Sequence, residues 1–277
     1  MIQNKTYEIG TLGYKIALFG DLHYDIDYDL TKLDLIVENL KLNQPDYICI
    51  TGDILNQSSV VNNQEIMIPL KEFFRKLGEI APTIVTLGNH DIWSDYQADI
   101  DNVQEWFLNL NTMERVTYLY NKSFIRDNIC FTAYNPPAEY YGLHHEDTNI
   151  FIKNIDTSIH LKPQYYNILL SHSPMSVFKT ETFQESNEIN KVNLILCGHM
   201  HNGLVLKWFD HKGTIGLISP YRKLFPKYAR GLSTKMINNK KISMIVSGGV
   251  VKISKNHSKR LSIFNKFYPI HIEYINI

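Results

Sequence analysis

Carboxylates, imidazoles and one amide follow five aliphatic runs of this chain, most of them directly after a glycine. G-D-L-H supplies Asp21 and His23, and G-D supplies Asp53. G-N-H-D supplies Asn89, His90 and Asp91, S-H-S-P supplies His172, and G-H-M-H supplies His199 and His201. Two histidines one residue apart do not share a helix face, where neighbours are three or four apart. On a buried strand they would share a side, but an apolar layer does not favour two imidazoles. A loop at a strand end remains, and ligand sites of open α/β sheets lie outside the carboxyl ends of strands. Each motif alone is weak. A surface turn or a satisfied core polar group accounts for one D-x-H, one G-D or a lone His172. G-N-H-D and G-H-M-H are more specific, and the ordered set after buried runs carries the reading.

Neutral imidazoles, carboxylates and an amide oxygen, with no thiolate, suit borderline-hard metals such as manganese, iron or zinc, and manganese is the first expectation. Seven ligands (Asp21, His23, Asp53, Asn89, His172, His199 and His201) are too many for one ion and fit two. An aspartate can bridge two ions through its two oxygens. Two metals about 3.5–4 Å apart clamp an in-line displacement at phosphorus and acidify a bridging water.

These residues must be positioned by strands. Y-K-I-A-L-F-G (Tyr14 to Gly20), Y-I-C-I-T-G (Tyr47 to Gly52) and T-I-V-T-L-G (Thr83 to Gly88) read as buried strands. Between them, Leu33, Ile36, Val37 and Leu40 keep helical spacing from Thr31 to Asn43, with Thr31 and Asp34 as a capping box. A second helix is expected to start near Pro69 and to carry Phe73, Phe74 and Leu77. This β-α-β-α-β order predicts parallel strands with helices packed on the sheet. A helix is expected from Asp99 to Leu110, then a hairpin over Ser123 to Tyr134 turning at Asp127-Asn128. Strands follow at Tyr166 to Ser171, Val192 to Cys197, Lys241 to Val246 and Ile270 to Ile275. The fold class is α/β, with two packed sheets in a single domain of residues 1–277.

Composition excludes several classes. The 277 residues are 44% hydrophobic and 20% charged, with formal net charge zero, so no global signal for nucleic acid exists. Cys49, Cys130 and Cys197 lie in apolar runs without C-x-x-C spacing and read as buried thiols in a reducing compartment. The start lacks a signal-peptide pattern, and no apolar run approaches the roughly 20 residues of a membrane span. The expected location is the cytoplasm, with peripheral membrane contact in view.

The five blocks, in order from Asp21 to His201, resemble the calcineurin-like metallophosphoesterases. The resemblance implies a four-layer fold of two mixed β-sheets face to face with helices outside. It implies that Asp21, His23 and His201 hold one divalent metal, that Asn89, His172 and His199 hold the second, and that Asp53 bridges. His90 would bind phosphate and protonate or stabilise the leaving oxygen, and Asp91 would orient a neighbour. Protein Ser/Thr phosphatases continue the G-D block with an aspartate and then an arginine, where this chain has Asn56 and Gln57. A protein phosphatase is therefore disfavoured. F-P-K-Y-A-R-G-L (Phe225 to Leu232) and S-G-G-V (Ser247 to Val250) resemble a branch of small bacterial phosphodiesterases that includes enzymes cleaving UDP-diacylglucosamine. The expected activity is hydrolysis of a phosphodiester or pyrophosphate bond, nucleotide or lipid-linked, by attack of a metal-bridging hydroxide. The alternatives are a broad phosphomonoesterase, or a metal-binding scaffold or membrane-surface adaptor without turnover.

Two segments are candidates for substrate selection. From Lys207 to Lys235, seven Lys/Arg residues are interleaved with Trp208, Phe209, Tyr221, Phe225 and Tyr228. This reads as a structured connection, with an anionic-lipid patch as the sharper alternative. Tyr228 and Arg230 are the candidate substrate contacts. Tyr134 to His145 reads as a stiff surface loop whose tyrosines could stack on a base or sugar.

Overall fold

The computed structural model describes residues 1–136, 154–174, 186–205, 214–218, 224–250 and 269–277. Twelve strands among them form two six-stranded sheets. The first contains β1 (Ile2–Glu8), β2 (Lys15–Phe19), β3 (Tyr47–Thr51), β4 (Thr83–Thr86), β5 (Val116–Tyr118) and β12 (Ile270–Asn276), in the order β1-β12-β2-β3-β4-β5. Strands β2, β3, β4 and β5 are parallel, and β12 runs antiparallel to β2. The second sheet contains β6 (Ser123–Arg126), β7 (Ile129–Tyr134), β8 (Tyr166–Ser171), β9 (Leu194–Cys197), β10 (Gly231–Ile237) and β11 (Lys240–Val246). Its order is β10-β11-β9-β8-β7-β6, parallel from β11 to β7 with an antiparallel strand at each edge.

The two-residue period of each strand divides its side chains between two cores. Ile16 and Leu18 face an inter-sheet core with Cys49, Ile84, Phe131, Ile168, Leu170, Leu194 and Leu196. Ala17, Phe19, Ile48, Ile50 and Val85 face the helices instead. Those helices are α1 (Thr31–Asn43), α2 (Gln64–Ile80) and α4 (Gln97–Asn109), while α3 (Asn89–Ile92) is a single turn. On the far side, Leu169, Ile195, Cys197 and Met244 pack under Ile155 and Ile159, which sit in and beside the helical stretch 154–158. The result is helix, sheet, sheet, helix. Strands buried on both faces read as unbroken apolar runs, which is why the central ones are visible in the sequence.

Several local expectations change. The second helix begins at Gln64, so Pro69 lies inside it. Its start is set by Asn63, whose side chain accepts the Ile66 N–H at 3.3 Å. Proline costs one backbone hydrogen bond there. The Thr31–Asp34 capping box does not form; Asp29 accepts from the Thr31 hydroxyl at 2.6 Å and the Thr31 N–H at 3.2 Å. The fourth helix spans Gln97–Asn109 rather than Asp99 to Leu110. The hairpin turns at Asp127 and Asn128 as expected, both with left-handed backbone (φ 49° and 64°). A second hairpin, β10–β11, turns at Asn238 and Asn239 (φ 48° and 64°), so part of the Lys207–Lys235 segment is a strand.

The three cysteines are buried and free. Tyr134 is also fully buried, with its hydroxyl donating to Asn154 Oδ1 at 2.9 Å, so it is not available for base stacking. Residues 137–145 of that loop, with His144 and His145, lie outside the described residues, as do Trp208, Phe209 and Tyr221. Among the described residues, no helix is long and apolar enough to cross a membrane.

Candidate metal centre

All five polar blocks leave the carboxyl ends of parallel strands: β2, β3 and β4 of the first sheet supply three, and β8 and β9 of the second supply two. The loops are locked to one another by their backbones. Asp21 N–H donates to the Gly52 carbonyl and His23 N–H to the Asp53 carbonyl, both at 3.0 Å. Gly52 has φ +87°, and a Cβ there would lie 2.3 Å from the Gly88 nitrogen. A Cβ on Gly88 would lie 2.3 Å from Asp53 Oδ1 and 2.8 Å from the His172 ring. The two glycines let the G-D and G-N-H-D turns touch, which brings the G-N-H-D turn against Asp53 and His172.

Asp21, His23, Asp53, His199 and His201 all have left-handed backbone, with φ between 46° and 69°. Such residues cost about 1–3 kcal/mol each and persist where the surroundings over-determine them, which happens at functional sites. The side chains converge. Asp21, His23 and His201 form one group whose ligand atoms lie within 4.8 Å of one another, and Asp53, His172 and His199 form another. A third group, His23, Asp53 and His90, lies between them. His201 stacks on His23 at 5.0 Å, and His90 meets His23 edge-on at 4.7 Å.

The hydrogen bonds decide which atoms are left for a ligand. His172 Nδ1 lies 2.6 Å from the Thr51 carbonyl, which can only accept, so Nδ1 carries the hydrogen. In neutral His172 the Nε2 lone pair then faces Asp53 Oδ2 at 3.2 Å and His199 Nδ1 at 3.1 Å. A lone pair against a carboxylate oxygen repels unless a cation or a proton lies between them. His23 Nε2, 3.8 Å from Asp53 Oδ2, is buried with no hydrogen-bond partner among the described residues. Asn89 Oδ1 shares that condition, and Asp53 Oδ2 has the His172 Nε2 contact, which is a hydrogen bond only when that ring is protonated. Buried polar atoms are rarely left so, and His23 Nε2 and Asp53 Oδ2, 3.8 Å apart, fit metal coordination. Asp21 and Asp53 are buried, and Asp53 faces the His23 and His172 rings at 3.8 and 3.2 Å, so a bound cation would offset the carboxylate charge.

The electrostatics agree. Burial holds the His23 imidazole well below its ordinary range, leaving it in the neutral form that binds metal. Burial alone would raise Asp53, but the His172, His90 and His23 rings outweigh it and hold the carboxyl well below the usual range. Burial pushes Asp21 up, against His201 and His172. For His172, burial pulls down while Asp53 and Asp21 pull up, and the ring reaches about 9.

His90 and Asp91 take distinct places. The His90 N–H donates to Asp53 Oδ1 at 2.8 Å, and its Nδ1 donates to the Asn56 carbonyl at 2.8 Å. The half-buried ring thus turns Nε2 away from Asn56. A backbone carbonyl, not an aspartate side chain, orients this imidazole. Asp91 is fully buried and accepts Gly88 N–H and Leu55 N–H, both at 2.7 Å, which ties the G-N-H-D turn to the G-D turn. Burial and the Asp53 charge push its carboxyl up to about 7. Tyr228 packs half-buried against the outer core of the second sheet, and Arg230 is buried. Between them, Ala229 packs on Gly203, two residues beyond His201.

The family model described as calcineurin-like phosphoesterase matches residues 14–203. YkuE, an uncharacterised metallophosphoesterase of Bacillus subtilis, is 26% identical over 84% of this chain and 73% of its own length. A transmembrane protein with metallophosphoesterase domain from Bos taurus is 26% identical over 69% of this chain, which spans only 41% of that protein. A solved dimetal phosphatase from Danio rerio aligns over 88% of this chain and 90% of its own at 10% identity, with a TM-score of 0.44. The match to the family model covers more than half of the chain, which belongs to the calcineurin-like phosphoesterase family, a family of metal-dependent phosphoesterases.

Proposed function

We propose that a single domain of residues 1–277 hydrolyses a phosphodiester or pyrophosphate bond at a two-ion centre. The observation that carries this reading is the convergence of two buried ligand groups, Asp21, His23 and His201 and Asp53, His172 and His199, with His23 Nε2 and Asp53 Oδ2 facing each other at 3.8 Å between them. Asp21, His23 and His201 would hold one divalent ion, Asn89, His172 and His199 the other, with Asp53 shared. Manganese is the first choice for this donor set, then iron or zinc. Two such ions supply charge to the phosphoryl oxygens and acidify water.

The chain's own groups complete the reaction. Asp53 Oδ1 fixes the His90 backbone, so Oδ2 alone faces the rings of His23 and His172. The Asn56 carbonyl holds His90 Nδ1–H, so Nε2 is the atom that can contact a phosphoryl oxygen or protonate the departing one. Asp91 keeps Asn89 and His90 in register by fixing the turn that carries them. A diester or pyrophosphate is preferred to a monoester because Phe225 to Leu232 and Ser247 to Val250 resemble the phosphodiesterase branch, and Asn56 and Gln57, where protein phosphatases have an aspartate and an arginine, disfavour a protein phosphatase. Tyr228 and Arg230, on the segment packed under the His201 loop, are the proposed substrate contacts, for a nucleotide or lipid-linked group. Location in the cytoplasm with peripheral membrane contact is the companion proposal.

The test is turnover of bis-p-nitrophenyl phosphate against p-nitrophenyl phosphate with manganese, iron or zinc. The diester should be the better substrate. Good monoester turnover with none on the diester would reverse the preference and leave a broad phosphomonoesterase.

A further inference from the structure

A buried polar network lies behind the centre, built from residues that the reaction itself does not use. Glu273 on β12 and Ser247 just past β11 are both buried. The Ser247 hydroxyl donates to Glu273 Oε2 at 2.6 Å, and the Gly248 N–H donates to Oε1 at 3.2 Å. Ser247 Oγ in turn accepts the Gly249 N–H at 3.1 Å. The loop is pinned further by Ser247 N–H to the Cys197 carbonyl, Val250 N–H to the Gly20 carbonyl and His271 N–H to the Gly249 carbonyl. Its tip presses on Asp21. Gly249 has φ +68°, and a Cβ there would lie 2.5 Å from Asp21 Oδ2 and 2.8 Å from Asp21 Cβ. From the other side, a Cβ on Gly198 would lie 3.0 Å from the same oxygen. Both Asp21 oxygens accept the His199 N–H, at 3.0 and 3.1 Å. The carboxylate is therefore confined between two glycine backbones and one N–H.

We infer that Glu273 and Ser247 are positioning residues for the ion of Asp21, His23 and His201. A buried carboxylate is costly unless it is well used, and Glu273 spends both oxygens on one loop. That loop holds Gly249 against Asp21, and so fixes the direction in which the Asp21 oxygens point. Glu273 touches neither the ligands' reacting atoms nor the second ion's group of Asp53, His172 and His199 in any described contact. The consequence is selective: loosening the loop weakens one of the two ions. This inference rests on the two-ion reading above.

The experiment is calorimetric titration of the 277-residue chain, stripped by a chelator, with Mn²⁺ alone. Wild type is compared with Glu273→Gln and Ser247→Ala, and Ser247→Ala is repeated in an Asp21→Asn background. Groups behind metal ligands change affinity about 10–100-fold. Each single variant should weaken one ion by that factor and leave the other within about twofold to threefold, with the melting midpoint of the metal-free protein retained. In the Asp21→Asn background, Ser247→Ala should add no further loss. Ser247→Ala removes one hydroxyl and keeps the test decisive if Glu273→Gln fails to fold. Wild type binding two ions with both variants matching it would overturn the positioning role alone. Equal weakening of both ions, with a lowered metal-free midpoint, would also overturn it, as general loss of packing. A wild type that binds no ion would overturn the two-ion reading and this inference together.

Discussion

Replacing His90 by alanine separates acid catalysis from metal binding. The structure makes the substitution clean. The bond from residue 90 to Asp53 Oδ1 comes from the backbone N–H, so it survives the loss of the ring. The Asn56 carbonyl loses its Nδ1–H donor, but the ring is half-exposed and water can replace it. No packed core collapses, and stability should change by less than about 1 kcal/mol. A positioned general acid contributes about 10²–10⁴-fold, which is about 3–5 kcal/mol of barrier. The loss should grow with the basicity of the leaving group, because p-nitrophenolate departs with little help and an alkoxide does not. Turnover of a p-nitrophenyl diester should thus fall least, and that of an alkyl or nucleoside diester most, toward the upper end of that range. The assay is kcat over a series of leaving groups, with metal content measured by mass spectrometry on the same samples. His90 also lies within reach of His23 and Asp53 as a third ligand group. Loss of a metal ion in the variant would mean that His90 is a ligand, and undiminished turnover would mean that it transfers no proton. Either result refutes the assignment.

Two further outcomes follow from the buried charges. Asp91→Asn keeps only one oxygen for two backbone N–H groups and turns an amide NH₂ toward the other, so the chain should lose about 1–3 kcal/mol. Its urea midpoint should fall together with kcat, as the turn bearing Asn89 and His90 shifts; an unchanged midpoint would contradict the bracing role. In the metal-free protein His172 keeps its proton up to about pH 9, against an ordinary value of 6.5. A raised folded-state pKa gives stabilisation that is complete below pH 6.5 and is lost as pH rises through 9. Metal-free unfolding should therefore become easier by on the order of 3 kcal/mol across that window, and a flat profile in urea titrations would contradict the His172–Asp53 pairing.

Legibility in the sequence followed burial. Strands covered on both faces, such as Lys15–Phe19, Tyr47–Thr51 and Leu194–Cys197, are continuous apolar runs and declare themselves. The strands missed were β1, β5 and β10. I-Q-N-K-T-Y-E and G-L-S-T-K-M-I are edge strands with one face in water, so neither shows an apolar run. The Asn238-Asn239 turn was the available signal for β10, and V-T-Y is too short to be distinguished. At the site, glycine followed by acid, amide or imidazole marked the strand ends, and those residues converge in space. What the sequence hid was backbone. The Asn56 carbonyl that orients His90 and the Thr51 carbonyl that sets the His172 tautomer depend on conformation, not residue type. The S-G-G-V segment stood out as a motif, but its partner Glu273 escaped, because 26 residues separate it from Ser247 and about 250 from Asp21, whose carboxylate the loop confines.

The most direct test of the two-ion hydrolase is hydrolysis of bis-p-nitrophenyl phosphate by the metal-stripped chain, with manganese, iron or zinc added back, beside Asp53→Asn. The shared position of Asp53 predicts turnover that requires added metal and vanishes in the variant. Turnover without metal, or turnover that survives in Asp53→Asn, would contradict it.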